Sequence, residues 1–172
     1  MPNYVYNTII CKENLLNKIL NAENLVDFGI LIPEPKTKKD CIDMYGNAYI
    51  DEPNEKGESS RRLMHDDGKD WFNWYDWHCD FWGCKWNACE TNVEKENEYY
   101  YITFMTAWCE PDYWIDKLVK LSKPFIFHWE EERGYGQLVG YNGKIDIEKV
   151  WNKNEKQADL PNENVLNKFF GE

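Results

Sequence analysis

The chain has 172 residues, 42% of them apolar and 16% aromatic, and carries a formal net charge of −11. This length suits one domain with a real core, and so many aromatic side chains exclude a chain that is disordered throughout. No stretch approaches the ~20 consecutive apolar residues of a membrane span, and the acidity argues against generic nucleic-acid binding, because phosphate affinity comes mainly from Lys and Arg.

Residues 4–12 (YVYNTIICK) alternate and are rich in β-branched and aromatic side chains, which predicts a strand. Residues 13–23 bring Leu15, Leu16, Ile19 and Leu20 at helical spacing, so an amphipathic helix is expected. The apolar run 28–32, stopped by Pro33 and Pro35, reads as a brief strand. From 35 to 69 the pattern dissolves into Gly, Ser, Lys and Asp, the mark of an insertion. In 70–82, Trp71, Trp74, Tyr75, His78 and Trp82 share one helical face, and Asp70 is a candidate cap. A strand over 85–91, a polar turn over 92–97 and a long strand over 98–108 come next. Pro111 and Asp112 open a helix whose apolar face is Trp114, Ile115, Leu118, Val119 and Leu121, with Pro124 ending it. Residues 125–131 alternate as a strand, Gly134-Tyr135-Gly136 turns, and 137–141 is the last strand, with a tight Asn142-Gly143 turn after it. The tail holds a helix-like apolar stretch from 146, then Val165, Leu166, Phe169 and Phe170, which are expected to dock it.

This order predicts an α+β fold of the split βαβ type: a mostly antiparallel sheet with helices on one face. Burial should be greatest at Ile9, Phe104, Leu118 and Phe127. The domain covers 1–143 with an insertion at about 35–82, and 144–172 form the docking tail.

Four blocks then stand in a suggestive order. They are Met1-Pro2-Asn3-Tyr4-Val5-Tyr6-Asn7, Phe81-Trp82-Gly83-Cys84-Lys85-Trp86-Asn87-Ala88, Thr106-Ala107-Trp108-Cys109-Glu110-Pro111, and Leu121-Ser122-Lys123-Pro124-Phe125 with His128-Trp129-Glu130-Glu131. They resemble the MPN…N, WGTKW-(N/D)-A, TAW-x-PP, LS…FP and Y-x-E-E stretches of the small phage and plasmid proteins that share the YubB ferredoxin-like domain. Cys84 stands where Thr is usual, and Glu110 replaces the first Pro. The resemblance spans roughly 1–143 and implies a ferredoxin-like fold and a mobile-element origin. It implies no catalytic set, since that family is mostly uncharacterised.

The chemistry-bearing residues are sparse. Six cysteines, at 11, 41, 79, 84, 89 and 109, include no CxxC pair, and the five-residue spacing of Cys79, Cys84 and Cys89 is not a zinc pattern. With no secretory signal at the N-terminus, reduced thiols acting as small buried hydrophobes are expected, with no metal and no cofactor. His65-Asp66-Asp67 lacks further ligands, alternation puts His128 and Glu130 on one strand face and Glu131 on the other, and Gly134-x-Gly136 lacks the context of a phosphate loop. Two readings stand for Trp82, Lys85, Trp86 and Asn87, joined by Thr106, Trp108 and Glu110. One is a pocket for a base and phosphate. The simpler one is packing of sheet on helix with Lys85 snorkelling out.

The expected function is binding rather than catalysis. The expectation is a phage or mobile-element accessory protein in the bacterial cytoplasm, inhibiting a defence system such as CRISPR–Cas. Its partner would be a host or competitor protein with a basic surface, met by exposed Tyr75 and Trp77 and by Glu94, Glu96, Glu98, Glu130, Glu131 and Glu132. The alternative is a small nucleotide- or nucleic-acid-binding protein that uses Trp82, Lys85, Trp86, Asn87 and Trp108.

Overall fold

A computed structural model of the chain describes residues 3–46, 49–51, 55–56, 71–152, 166–167 and 170–171. Among the described residues six strands form one sheet in the order β2-β3-β1-β4-β5-β6, every neighbouring pair antiparallel. They are β1 (Tyr4–Lys12), β2 (Cys89–Glu96), β3 (Tyr99–Ala107), β4 (Phe125–Glu130), β5 (Gly134–Tyr141) and β6 (Lys144–Asn152). The α-helices named among the described residues are α1 (Leu16–Ile19), α2 (Lys38–Tyr45), α3 (Trp74–Phe81) and α4 (Asp112–Val119).

Alternation along β1 sets the layers. Val5, Asn7, Ile9 and Cys11 point to the helical side, and the register puts Ile9 between Ile102 of β3 and Phe127 of β4. These side chains share one core with Leu15, Ile19, Phe28, Trp77, Trp82, Trp114 and Leu118. Ile9, Phe104, Leu118 and Phe127 are all buried, as their patterns predict. On the other face Ile10, Tyr99, Ile126 and Val139 make a smaller core, closed by Leu166 and Phe170 of the C-terminal tail. Val165 and Phe169 lie outside the described residues, as do Met1, Pro2, Asp70 and His65-Asp66-Asp67.

α4 follows its pattern as far as Val119, burying Trp114, Ile115, Leu118 and Val119, but it ends there, before Leu121 and well before Pro124. The helix expected over 13–23 is instead a 3₁₀ turn, Glu13–Leu15, running into the four residues of α1. Asn21 stops it, because its side-chain oxygen accepts from the N–H groups of Glu23 and Leu25 and so competes with the helical backbone. The strand expected at 28–32 is a 3₁₀ turn, Phe28–Ile30, because Asp27 accepts from the Gly29 N–H while Phe28 drops into the core.

The segment read as a patternless insertion contains α2. Thr37 accepts from the Asp40 N–H and Asp40 accepts from the Thr37 N–H, a reciprocal capping box with Asp in place of the usual Glu. Cys41, Phe72 and Trp77 belong to the main core, so these parts of 35–82 are built into the helical layer.

Three further corrections concern the hairpins. β2 runs through Glu96, so residues 92–96 are strand and only Asn97 and Glu98 turn. Gly134 to Gly136 lie in β5, where Gly136 sits against the Trp129 ring: a Cβ there would stand 2.0 Å from the indole. The turn is Glu131 to Arg133, closed by the Glu131 N–H donating to the Gly134 carbonyl at 2.8 Å. After Asn142 and Gly143, both at positive φ as a two-residue hairpin turn requires, the chain pairs again. The start of the tail placed at 144, with its stretch from 146 expected as helix-like, is therefore β6.

Candidate functional site

The sheet separates the six acids read as one surface. Tyr99 pairs with Lys12 at one end of β1, whereas Glu130 pairs with Tyr6 at the other. Six residue steps along β1 separate those pairs, about 20 Å at the usual rise. Glu94, Glu96 and Glu98 are exposed on the β2–β3 hairpin, and Glu98 is held by Lys12 at 3.5 Å. Glu130, Glu131 and Glu132 are exposed at the opposite end, in and beside the β4–β5 turn.

Trp77, expected as an exposed anchor, is fully buried. Its ring is enclosed by Tyr45, Phe72, His78, Phe81 and Trp82, because α3 turns this face into the main core. Tyr75 is half-buried, with its ring 6.3 Å from that of Trp108.

The proposed ligand pocket also divides. Trp82 is buried, stacks on His78 at 4.0 Å and donates its indole N–H to the Ile32 carbonyl. Asn87 accepts from the Phe28 and Ala88 N–H groups and donates to Asp27, so it fastens the Phe28 turn. Neither side chain is free to meet a ligand. Thr106 is buried as well: Asn7 donates to its hydroxyl, which donates to the Cys109 carbonyl.

Lys85, Trp86 and Trp108 do come together. The Lys85 ammonium lies 4.6 Å from the Trp86 ring centre and 4.5 Å from that of Trp108, a cation held between two indoles. Its backbone is fixed from below, since the buried His78 donates Nδ1–H to the Lys85 carbonyl while its Nε2 meets the Glu34 carboxylate.

Trp108 is the side chain around which the surface is organised. It is 48% exposed and has φ +73, a backbone region that a bulky residue seldom occupies. The loop is held there by three bonds: the Trp108 N–H to the Asn3 carbonyl, Thr106 to the Cys109 carbonyl, and the Cys109 thiol to the Gly83 carbonyl. Between this loop, the start of β1 and the β4–β5 turn lies a cleft of about 320 Å³, lined by Asn3, Tyr4, Trp108, Glu131, Glu132 and Arg133 among others. Asn3 donates to Glu132 at 2.9 Å and so positions that carboxylate.

The cleft's surroundings are electronegative. The Cys109 thiol is pushed up to about 11, first by burial and then by Glu110, Asp112, Cys79 and Glu131. Burial also raises Cys84 well above the ordinary thiol value and Cys11 to about 12, so these sulfurs are protonated at neutral pH and are poor nucleophiles. None of the six cysteines is joined in a disulfide. Among the described residues no group of three His, Cys, Asp or Glu side chains is arranged to hold a metal, and no helix is long and apolar enough to cross a membrane.

Sequence reasoning missed Asn3, Tyr4 and Arg133 as neighbours of Trp108. The available signal was the pairing of the first strand with both strands that end near them; spacing alone carries no such information. Compared with protein-family models, curated proteins and solved structures, the chain matches none.

Proposed function

We propose that this is an accessory protein of a phage or mobile element that acts by binding a protein with a basic surface. Its contact surface would be built around Trp108. The carrying observation is that Trp108 is exposed although its backbone is strained, beside a cleft walled by Glu131 and Glu132. Strain kept in a folded protein must be over-determined by its surroundings, and it concentrates at functional sites. The net charge of −11 would steer such a partner and speed its association.

The fold reading in this proposal is a ferredoxin-like split βαβ unit made of β1 to β4, extended by the β5–β6 hairpin. The strand order β2-β3-β1-β4 supports it, with helices between β1 and β2 and between β3 and β4. The resemblance of the Trp82–Ala88 and Thr106–Pro111 blocks to the YubB domain supports the mobile-element setting, and inhibition of a defence nuclease or effector in the bacterial cytoplasm is the role that fits it. The thiols suit that compartment, where cysteines stay reduced.

Capture from a bacterial lysate on the immobilised full chain, with mass spectrometry of what is retained, tests the reading. A stoichiometric basic protein, whose own activity falls when the chain is added back, is the expected result. Retention of nucleotides or RNA without such a protein would sink it.

A further inference from the structure

We propose that the cleft between Trp108 and the β4–β5 turn seats a single arginine side chain of the protein partner. This rests on the protein-binding reading above and names the chemistry that its site recognises. A guanidinium is planar, always charged, and able to stack on an indole while donating to carboxylates. The cleft offers those two surfaces together: the exposed Trp108 ring and the Glu131 and Glu132 carboxylates, one of them oriented by Asn3.

The molecule already holds a cation against this ring. Lys85 sits 4.5 Å from the Trp108 ring centre, so the indole is placed to attract positive charge. Two carboxylates line the cleft against one guanidinium, that of Arg133. Lys85 adds a second positive charge beside the Trp108 ring, so the negative field comes from the wider surroundings. There, beyond burial, Glu110, Asp112 and Glu131 all push the neighbouring Cys109 thiol up, and that field favours a cationic guest over a phosphate or carboxylate. A cleft of about 320 Å³ is of a size for one long side chain rather than a folded segment.

The test uses the full chain and a short Gly/Ser peptide carrying one arginine. Its counterpart carries citrulline, which keeps the shape and loses the charge, and a third peptide carries lysine. Binding is followed through the indole N–H resonances, with Trp108 assigned by its loss in Trp108→Gly. Glycine tolerates φ +73, so that variant is expected to fold, and its amide spectrum checks this. The arginine peptide should shift the Trp108 resonance and bind at least about fivefold tighter than either other peptide. Trp108→Gly and the double variant Glu131→Gln/Glu132→Gln should each weaken it by about fivefold or more, and Arg133→Gln should strengthen it.

Equal binding of the citrulline or lysine peptide overturns the assignment, as does no shift at Trp108, or full binding by Trp108→Gly. A lysate partner retained undiminished by Trp108→Gly also overturns the cleft, yet leaves the protein-binding reading standing. An arginine peptide held by the cleft, while the lysate yields only nucleic acid, supports the cleft and sinks that reading.

Discussion

Trp77 and Trp108 lie in the two most aromatic stretches of the chain and have opposite fates. Trp77 is enclosed by five other rings on the core-facing side of α3, and among the described residues its buried indole N–H has no hydrogen-bond partner. Trp108 stands half in solvent on a strained backbone, with a cation on its ring. The first is placed by burial of apolar area, which is non-directional and tolerates a lost polar contact. The second is placed by directional bonds from Asn3, Thr106 and Cys109, which hold a conformation that apolar packing alone would not select. A tryptophan in an aromatic run therefore says little about exposure, whereas one held at positive φ points to use.

Truncation should separate the two most sharply. Trp77→Ala removes a fully enclosed ring and should cost about 3–5 kcal/mol, read as a large drop in the urea midpoint of unfolding. A midpoint close to wild type would mean that Trp77 is not core and would erase the contrast.

Asn87→Ala comes next. It leaves the Phe28 and Ala88 N–H groups without their acceptor and should cost about 1–3 kcal/mol in the same assay. The arginine peptide should bind this variant as it binds wild type. Weakened binding in a folded Asn87→Ala chain would restore Asn87 to the site and blur the division between core and surface.

Trp108→Gly should leave stability within about 1 kcal/mol of wild type, because relief of the backbone strain offsets the lost Lys85 contact. Calorimetry would show a nearly unchanged melting temperature beside the lost peptide binding. A strongly destabilised variant would make Trp108 a structural residue like Trp77.

The smallest effect concerns pH. Burial lowers the pKa of His128 below 6.5, and Glu130 opposes the shift. A depressed histidine means that the unfolded chain takes up a proton the folded chain resists. Its contribution is complete above pH 6.5 and declines as pH falls from there toward the lower folded value. His128→Gln should thus lose less stability than wild type between pH 7 and pH 5, measured by urea unfolding at both. An identical pH dependence would show that His128 titrates alike in both states.

How much of this was legible beforehand depends on the range of the interactions. β1, β3, β4 and α4 were readable from residues 4–12, 98–108, 125–131 and 112–123, because burial on one face imposes a period that survives in one dimension. The Asn142-Gly143 turn was readable for a local reason, the tolerance of both residues for positive φ. α2 hid behind a capping box written with Asp, and β6 behind a short apolar pattern that fits strand or helix alike.

The site was less legible than the fold. Lys85, Trp86 and Trp108 could be named together, but Trp82 and Asn87 belong to the core, and Asn3, Tyr4 and Arg133 were absent from the set. By itself the sequence determined the α+β class, the alternating strands, the acidic surface and the aromatic wealth, since composition and short periods carry them. Only the tertiary structure decided that Trp77 turns inward and Trp108 outward, and that the acids fall at two ends of the sheet. It also decided that Asn3, Trp108 and Glu132 meet. Those outcomes follow from strand order and register, which join residues more than a hundred positions apart, and no local pattern encodes such a pairing.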